Sequence, residues 1–157
     1  MIPIIARALA ASPGSDRSVE LVANTKQLQA LAAKIKELGP NNQHIRSGLQ
    51  EVAALWENRI RANFRKSQDP YGNTWAEIKH RKGQPLLDTG MLRNSISGEV
   101  RGLSIVLGSP IEYAEKHQDG IRVTRRMFLP SQEKGLPDKW KNEYVKIITK
   151  SVEQALK

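Results

Sequence analysis

The chain has 157 residues and no cysteine, which suits a single domain and excludes disulfides and thiolate metal sites. Its net charge of +9 favours polyanions or acidic partner surfaces. The excess is uneven, because residues 1–57 carry six Lys/Arg against five Asp/Glu and residues 58–157 carry nineteen against eleven.

The first residues, "MIPIIARALAASPGSD", hold an apolar run with Arg7 inside it. A secretory signal carries its positive charge before the apolar core, so none is expected. Residues 1–20 read as an arm with an apolar tip that packs on its own domain or reaches a neighbouring subunit. Residues 21–157 read as one domain. No stretch reaches the roughly 20 apolar residues of a membrane span, so no membrane partner is expected.

Leu28, Leu31, Ile35 and Leu38 share one face of a helix that Asn24 or Thr25 can cap and Gly39-Pro40 ends. Ile45, Leu49, Val52, Trp56, Ile60 and Phe64 continue the spacing through a helix of about five turns. The short connection predicts a hairpin. Arg59, Arg61, Arg65 and Lys66 fall near the end of the second helix, where cations suit the dipole. Asp69-Pro70-Tyr71-Gly72 has the residues of a type I turn, and "EIKHRKGQP" follows as a basic loop.

The period then changes to two. "SISGEV" and "LSIVLGS" read as strands joined by a tight turn at Arg101-Gly102. "IEYAEKHQDG" reads as a helical turn ended by Gly120. "IRVTRRMFLP" is predicted as a further strand. Asp138 can cap a last helix with Trp140, Tyr144, Ile147, Ser151 and Ala155 on its apolar face. The fold class is α+β: an N-terminal helical hairpin, a small antiparallel sheet and a C-terminal helix.

Asp88-Thr89-Gly90 has the tripeptide of an aspartic protease. That reaction needs two carboxylates sharing a proton, held in a strand-rich frame. "GMLRNSI" after it reads as a helical turn, so Asp88 or Thr89 is expected to cap that turn. His44, His80 and His117 are not spaced for a metal, and no catalytic Ser or phosphate loop motif is present. No cofactor, no metal and no enzymatic activity are expected. Lys79, Arg81, Lys82, Arg122 and Arg125 are the candidates for facing DNA phosphates, although no aromatic residues are interleaved to stack bases.

Taken in order, Phe64, "DPYGNTW", "LLDTGMLRNSI", "VLGS", "YAEKHQDG" and "RRMFLP" form a set. Over about residues 21–156 the chain resembles the phage virion morphogenesis family, which includes tail completion proteins of Mu-like and other tailed phages. The matching positions are Trp75, Leu87, Thr89, Gly90, Leu92, Ser95, Ile96, Gly108, Tyr113, Ala114, His117, Gly120, Arg126, Phe128 and Leu129. Where the family often has Pro after the Arg, this chain has Met127.

The resemblance implies a structural protein at the head–tail junction of a virion, assembled in the host cytoplasm. It would form a homo-oligomeric ring, a hexamer by preference, that meets tail tube and head connector proteins and contacts DNA non-specifically. Under this expectation "YAEKHQDG" and "RVTRR" hold the sheet edge together or meet an adjacent subunit. The alternatives are a basic nucleic-acid-binding accessory protein and a transient head-assembly factor.

Overall fold

The computed structural model describes residues 4–7 and 25–157. The expected arm lies outside these residues except for Ile4–Arg7, as does the expected cap Asn24. Ile4–Arg7 forms strand β1, and helices α1 (Thr25–Leu38) and α2 (Gln43–Lys66) follow. A single turn, α3 (Met91–Ser95), precedes strands β2 (Ser97–Arg101) and β3 (Ser104–Gly108). The short α4 (Ala114–Asp119) and the long α5 (Asp138–Ala155) complete the order.

Helix α2 organises the fold. Asn42 caps it, with Oδ1 accepting from His44 N at 3.0 Å and Ile45 N at 3.3 Å. The six apolar residues expected on one face, Ile45, Leu49, Val52, Trp56, Ile60 and Phe64, are all buried. Trp56 stacks on Trp140 of α5, with ring centroids 5.6 Å apart. That pair contributes about 1 kcal/mol beyond the area it buries. The buried stripe of α5 runs Trp140, Ile148, Ser151 and Val152. Tyr144 and Ile147 of the expected stripe pack partly buried against the core, and Ile148 and Val152, which were not expected there, are buried more fully.

The basic residues near the end of α2 divide. Arg59 pairs with Glu143 of α5, its Nε donating at 2.9 Å. Arg61 donates to Ile96 O at 2.9 Å and pairs with Glu57 at 2.7 Å. Arg65 and Lys66 stay exposed in the last turn, where the dipole account applies.

The sheet is antiparallel in the order β1-β3-β2. Arg101 pairs with Ser104, so the hairpin turn is Gly102-Leu103, one residue beyond the expected position. Glu57 of α2 fastens the helix to β2 by accepting from Gly98 N at 3.0 Å.

The predicted strand over 121–130 is not formed. Its backbone groups are taken by side chains instead of a neighbouring strand. Gln118 Oε1 accepts from Phe128 N and Leu129 N, both at 3.0 Å, and Gln118 Nε2 donates to Leu129 O at 2.9 Å. Trp75 Nε1 donates to Met127 O at 2.8 Å. Arg126 N donates to His117 O at 2.8 Å. With these groups satisfied, no ladder is needed.

Candidate functional site

The turn after α2 forms as its residues dictate. Asp69 O accepts from Gly72 N at 3.1 Å. Asp69 Oδ1 accepts from Tyr71 N and Asn73 N at 2.8 and 2.9 Å. The turn delivers Trp75 into the core, edge-on to Phe64 with centroids 5.3 Å apart. The ring of Phe128 also lies against Phe64, tilted, with centroids 5.6 Å apart.

Two extended segments, 75–77 and 126–129, are thereby stitched side by side. Trp75 donates to Met127 O, and Arg126 returns the bond. The buried Arg126 donates through Nε to Ala76 O at 2.8 Å and through a terminal nitrogen to Glu77 O at 3.0 Å. Its charge is spent on backbone carbonyls, so "RVTRR" is not one solvent-facing patch.

Gly90 opens α3 with φ +76, a conformation that any other residue adopts with strain. The N-cap is Gly90 itself, with no side-chain cap bond, so neither Asp88 nor Thr89 holds the expected position; Thr89 Oγ1, one residue earlier, accepts from Met91 N at 3.3 Å. Asp88 projects into solvent with Arg81 4.0 Å away. The turn buries Leu92, and Ser95 closes it. Ser95 Oγ donates to Leu92 O and lies 2.7 Å from Ser109 Oγ, which ties α3 to the exit of β3.

Gly120 ends α4 at φ +77, where its N–H donates to Lys116 O at 2.9 Å. A Cβ there would stand 2.9 Å from Arg125 Cβ. The residue thus permits both the left-handed cap and the return of the chain past it.

These pieces meet around a cleft of about 410 Å³. Thr89, Gly90, Leu92, Tyr113, His117 and Arg126 line it, together with the loop from Ile78 to Asp88. Trp75 and Phe128 sit in the core, outside the lining. The rings of Tyr113 and His117 meet edge to face at 6.1 Å. Burial, and secondarily the Arg126 charge, lowers the His117 pKa from its ordinary value. Among the described residues, His117 Nδ1 is buried with no hydrogen-bond partner.

Four large apolar side chains of the cleft and of the loop after α4 are exposed. Met91 is 58% exposed, Ile121 46%, and Tyr113 and Val123 39% each. Met91 and Tyr113 line the cleft, while Ile121 and Val123 belong to the loop leading from α4 to Arg126. Among the DNA-facing candidates, Lys79, Lys82, Arg122 and Arg125 are exposed. Arg125 Nε donates to Gln118 O at 3.1 Å, and Arg81 is held by Lys82 O and Gln84 O at 3.2 Å each.

The sequence reading missed Gln118. It sits between two motif positions, and nothing in its type announces a buried amide serving three backbone groups. Among the described residues no group of three or more His, Asp or Glu is placed to hold a metal ion. No described helix is long and apolar enough to cross a membrane.

Comparison with known proteins bears on these same residues. No solved structure matches the chain. The chain is 28% identical over 97 residues to the Mu-like prophage FluMu G protein 2 of Haemophilus influenzae, covering 62% of this chain and 68% of that protein. The phage virion morphogenesis family matches residues 23–140, a span that holds the capped turn, the cleft and the stitched segments. The protein belongs to the phage virion morphogenesis family.

Proposed function

We propose that the protein is a structural component of tail completion, acting at the head–tail junction of a virion as a closed ring of identical subunits. One observation carries the reading. Motif residues converge on a cleft that exposes Met91 and Tyr113, and the chain between its His117 and Arg126 exposes Ile121 and Val123 among Arg122 and Arg125. Large apolar side chains left exposed among charged ones are the composition expected of a protein–protein surface. Of the polar groups that line the cleft, Arg126 and Arg81 are committed to backbone carbonyls.

A ring requires a heterologous contact that closes on itself, in which one face of each subunit meets a different face of the next. A hexamer would match a six-fold tail tube. Light scattering of the purified protein at low and at high salt tests the reading. A mass of about six subunits that persists in high salt supports contacts held by packed apolar surface. A monomer at both salts, combined with its absence from finished particles, would sink it.

A second reading is favoured by the exposed Lys79, Lys82 and Arg122. It is a nucleic-acid-binding accessory protein that acts as a monomer or dimer. Binding to duplex DNA that collapses with rising salt, without ring formation, selects it.

A further inference from the structure

β1 pairs with β3 over four residues, from Ile4 opposite Leu107 to Arg7 opposite Ser104. β3 is central, with β2 on its other edge. It carries the buried Ile105, Val106 and Leu107, of which Ile105 and Leu107 belong to the main core and Val106 does not. Alternation along the strand puts Val106 on the opposite face. Without β1, this strand would present an unpaired edge of N–H and C=O groups, a template that takes up an added strand.

Seventeen residues, 8–24, separate β1 from α1. Extended, that many residues span at most about 60 Å. A compact domain of this length has a radius of gyration of about 15 Å. The connection is therefore long enough to lay β1 on the β3 of an adjacent copy as well as on its own. The ladder has the same register and the same hydrogen bonds in either case. Exchange therefore costs no ladder contact, and in a closed ring the neighbour's β3 is held at high effective concentration.

We infer that β1 is an exchangeable strand, and that its occupant site in the assembled protein is the β3 edge of a second copy of this chain. Each subunit then gives one strand and receives one. This inference rests on the ring reading and names the segment that links its members.

The chain has no cysteine, so engineered thiols report without background. Ile5 lies opposite Val106, and paired Cα atoms in an antiparallel ladder fall within disulfide range. Two full-length single variants, Ile5→Cys and Val106→Cys, are mixed, unfolded together, refolded and oxidised. The double variant is oxidised in parallel, and light scattering of the wild type reports whether an oligomer forms. The expected result is a disulfide-linked heterodimer in the mixture and a series of covalent multimers in the double variant.

An oligomer whose double variant yields only internally bridged monomer overturns the exchange and leaves the ring standing. Failure of both samples to cross-link overturns the ladder on which the exchange depends. A wild type that remains monomeric while its double variant bridges internally overturns the exchange, and the ring falls with it if the protein is also absent from finished particles.

Discussion

Gln118 and Arg126 show how single side chains replace a strand. Gln118→Ala leaves Phe128 N, Leu129 N and Leu129 O without partners in a buried setting. Stranding buried backbone groups costs about 1–3 kcal/mol each before relaxation and water entry. The expected loss is about 3 kcal/mol, or roughly 6–12 °C in Tm for a chain of this size, read by thermal denaturation. Arg126→Lys keeps the charge but loses the two-pronged grip on Ala76 O and Glu77 O. It should cost about 2 kcal/mol, so a variant with unchanged Tm would refute the stitching account. His117 adds a pH dependence whose sign follows from its lowered pKa. Folding favours the neutral ring, so this contribution is complete above the ordinary value of 6.5 and is lost as pH falls through the lowered one. Between about pH 7.5 and pH 5, wild-type Tm should fall more than that of His117→Gln, which has nothing to protonate there. Parallel curves would assign the acid sensitivity to other groups.

At the scale of elements, spacing was informative wherever a face is apolar and regular. The burial of the six large apolar residues of α2 follows from their positions alone, since a helix with that stripe has one way to face a core. The β2–β3 hairpin was equally legible from its alternation, with the turn displaced by one residue. The segment 121–130 was misread for a physical reason. Its alternating residues have strand character, but strand pairing is decided by what lies beside the segment, and there Gln118 and Trp75 supply the bonds. Close packing between helices was also invisible in the sequence. Gly48 of α2 faces Ser151 of α5 so closely that an added Cβ would stand 2.1 Å from Ser151 Oγ and 2.9 Å from its Cβ. Gly48→Ala gains about 1 kcal/mol of helix propensity, yet rotating the serine hydroxyl away does not clear the Cβ contact. The expected net effect is a loss of about 1–2 kcal/mol as α5 is pushed outward. Adding Ser151→Gly should recover part of that loss, which a double-mutant cycle in urea would measure as a coupling of about 1 kcal/mol. Additive losses would mean that the helices yield without strain.

For the whole molecule, the ordered motifs located the candidate surface, but only folding showed why they belong together. Thr89, Gly90, Tyr113, His117 and Arg126 all line the cleft, though they are spread over almost forty positions. The exposed apolar residues around them could not be read in advance, because a Met or Val in sequence gives no sign of which side it faces. Their exposure separates stability from assembly. Met91 and Val123 are 58% and 39% exposed, so replacing each by Glu removes little that the fold buries. Such surface changes usually stay within about 0.5 kcal/mol. A carboxylate carried into an apolar contact, by comparison, loses its hydration at a cost of several kcal/mol. Met91→Glu with Val123→Glu should therefore leave Tm within about 2 °C of wild type while shifting the light-scattering mass toward the monomer. If the mass is unchanged and Tm is unchanged, this face lies outside the subunit contact. If Tm falls steeply, these side chains serve the fold, and the subunit contact must be sought elsewhere on the domain.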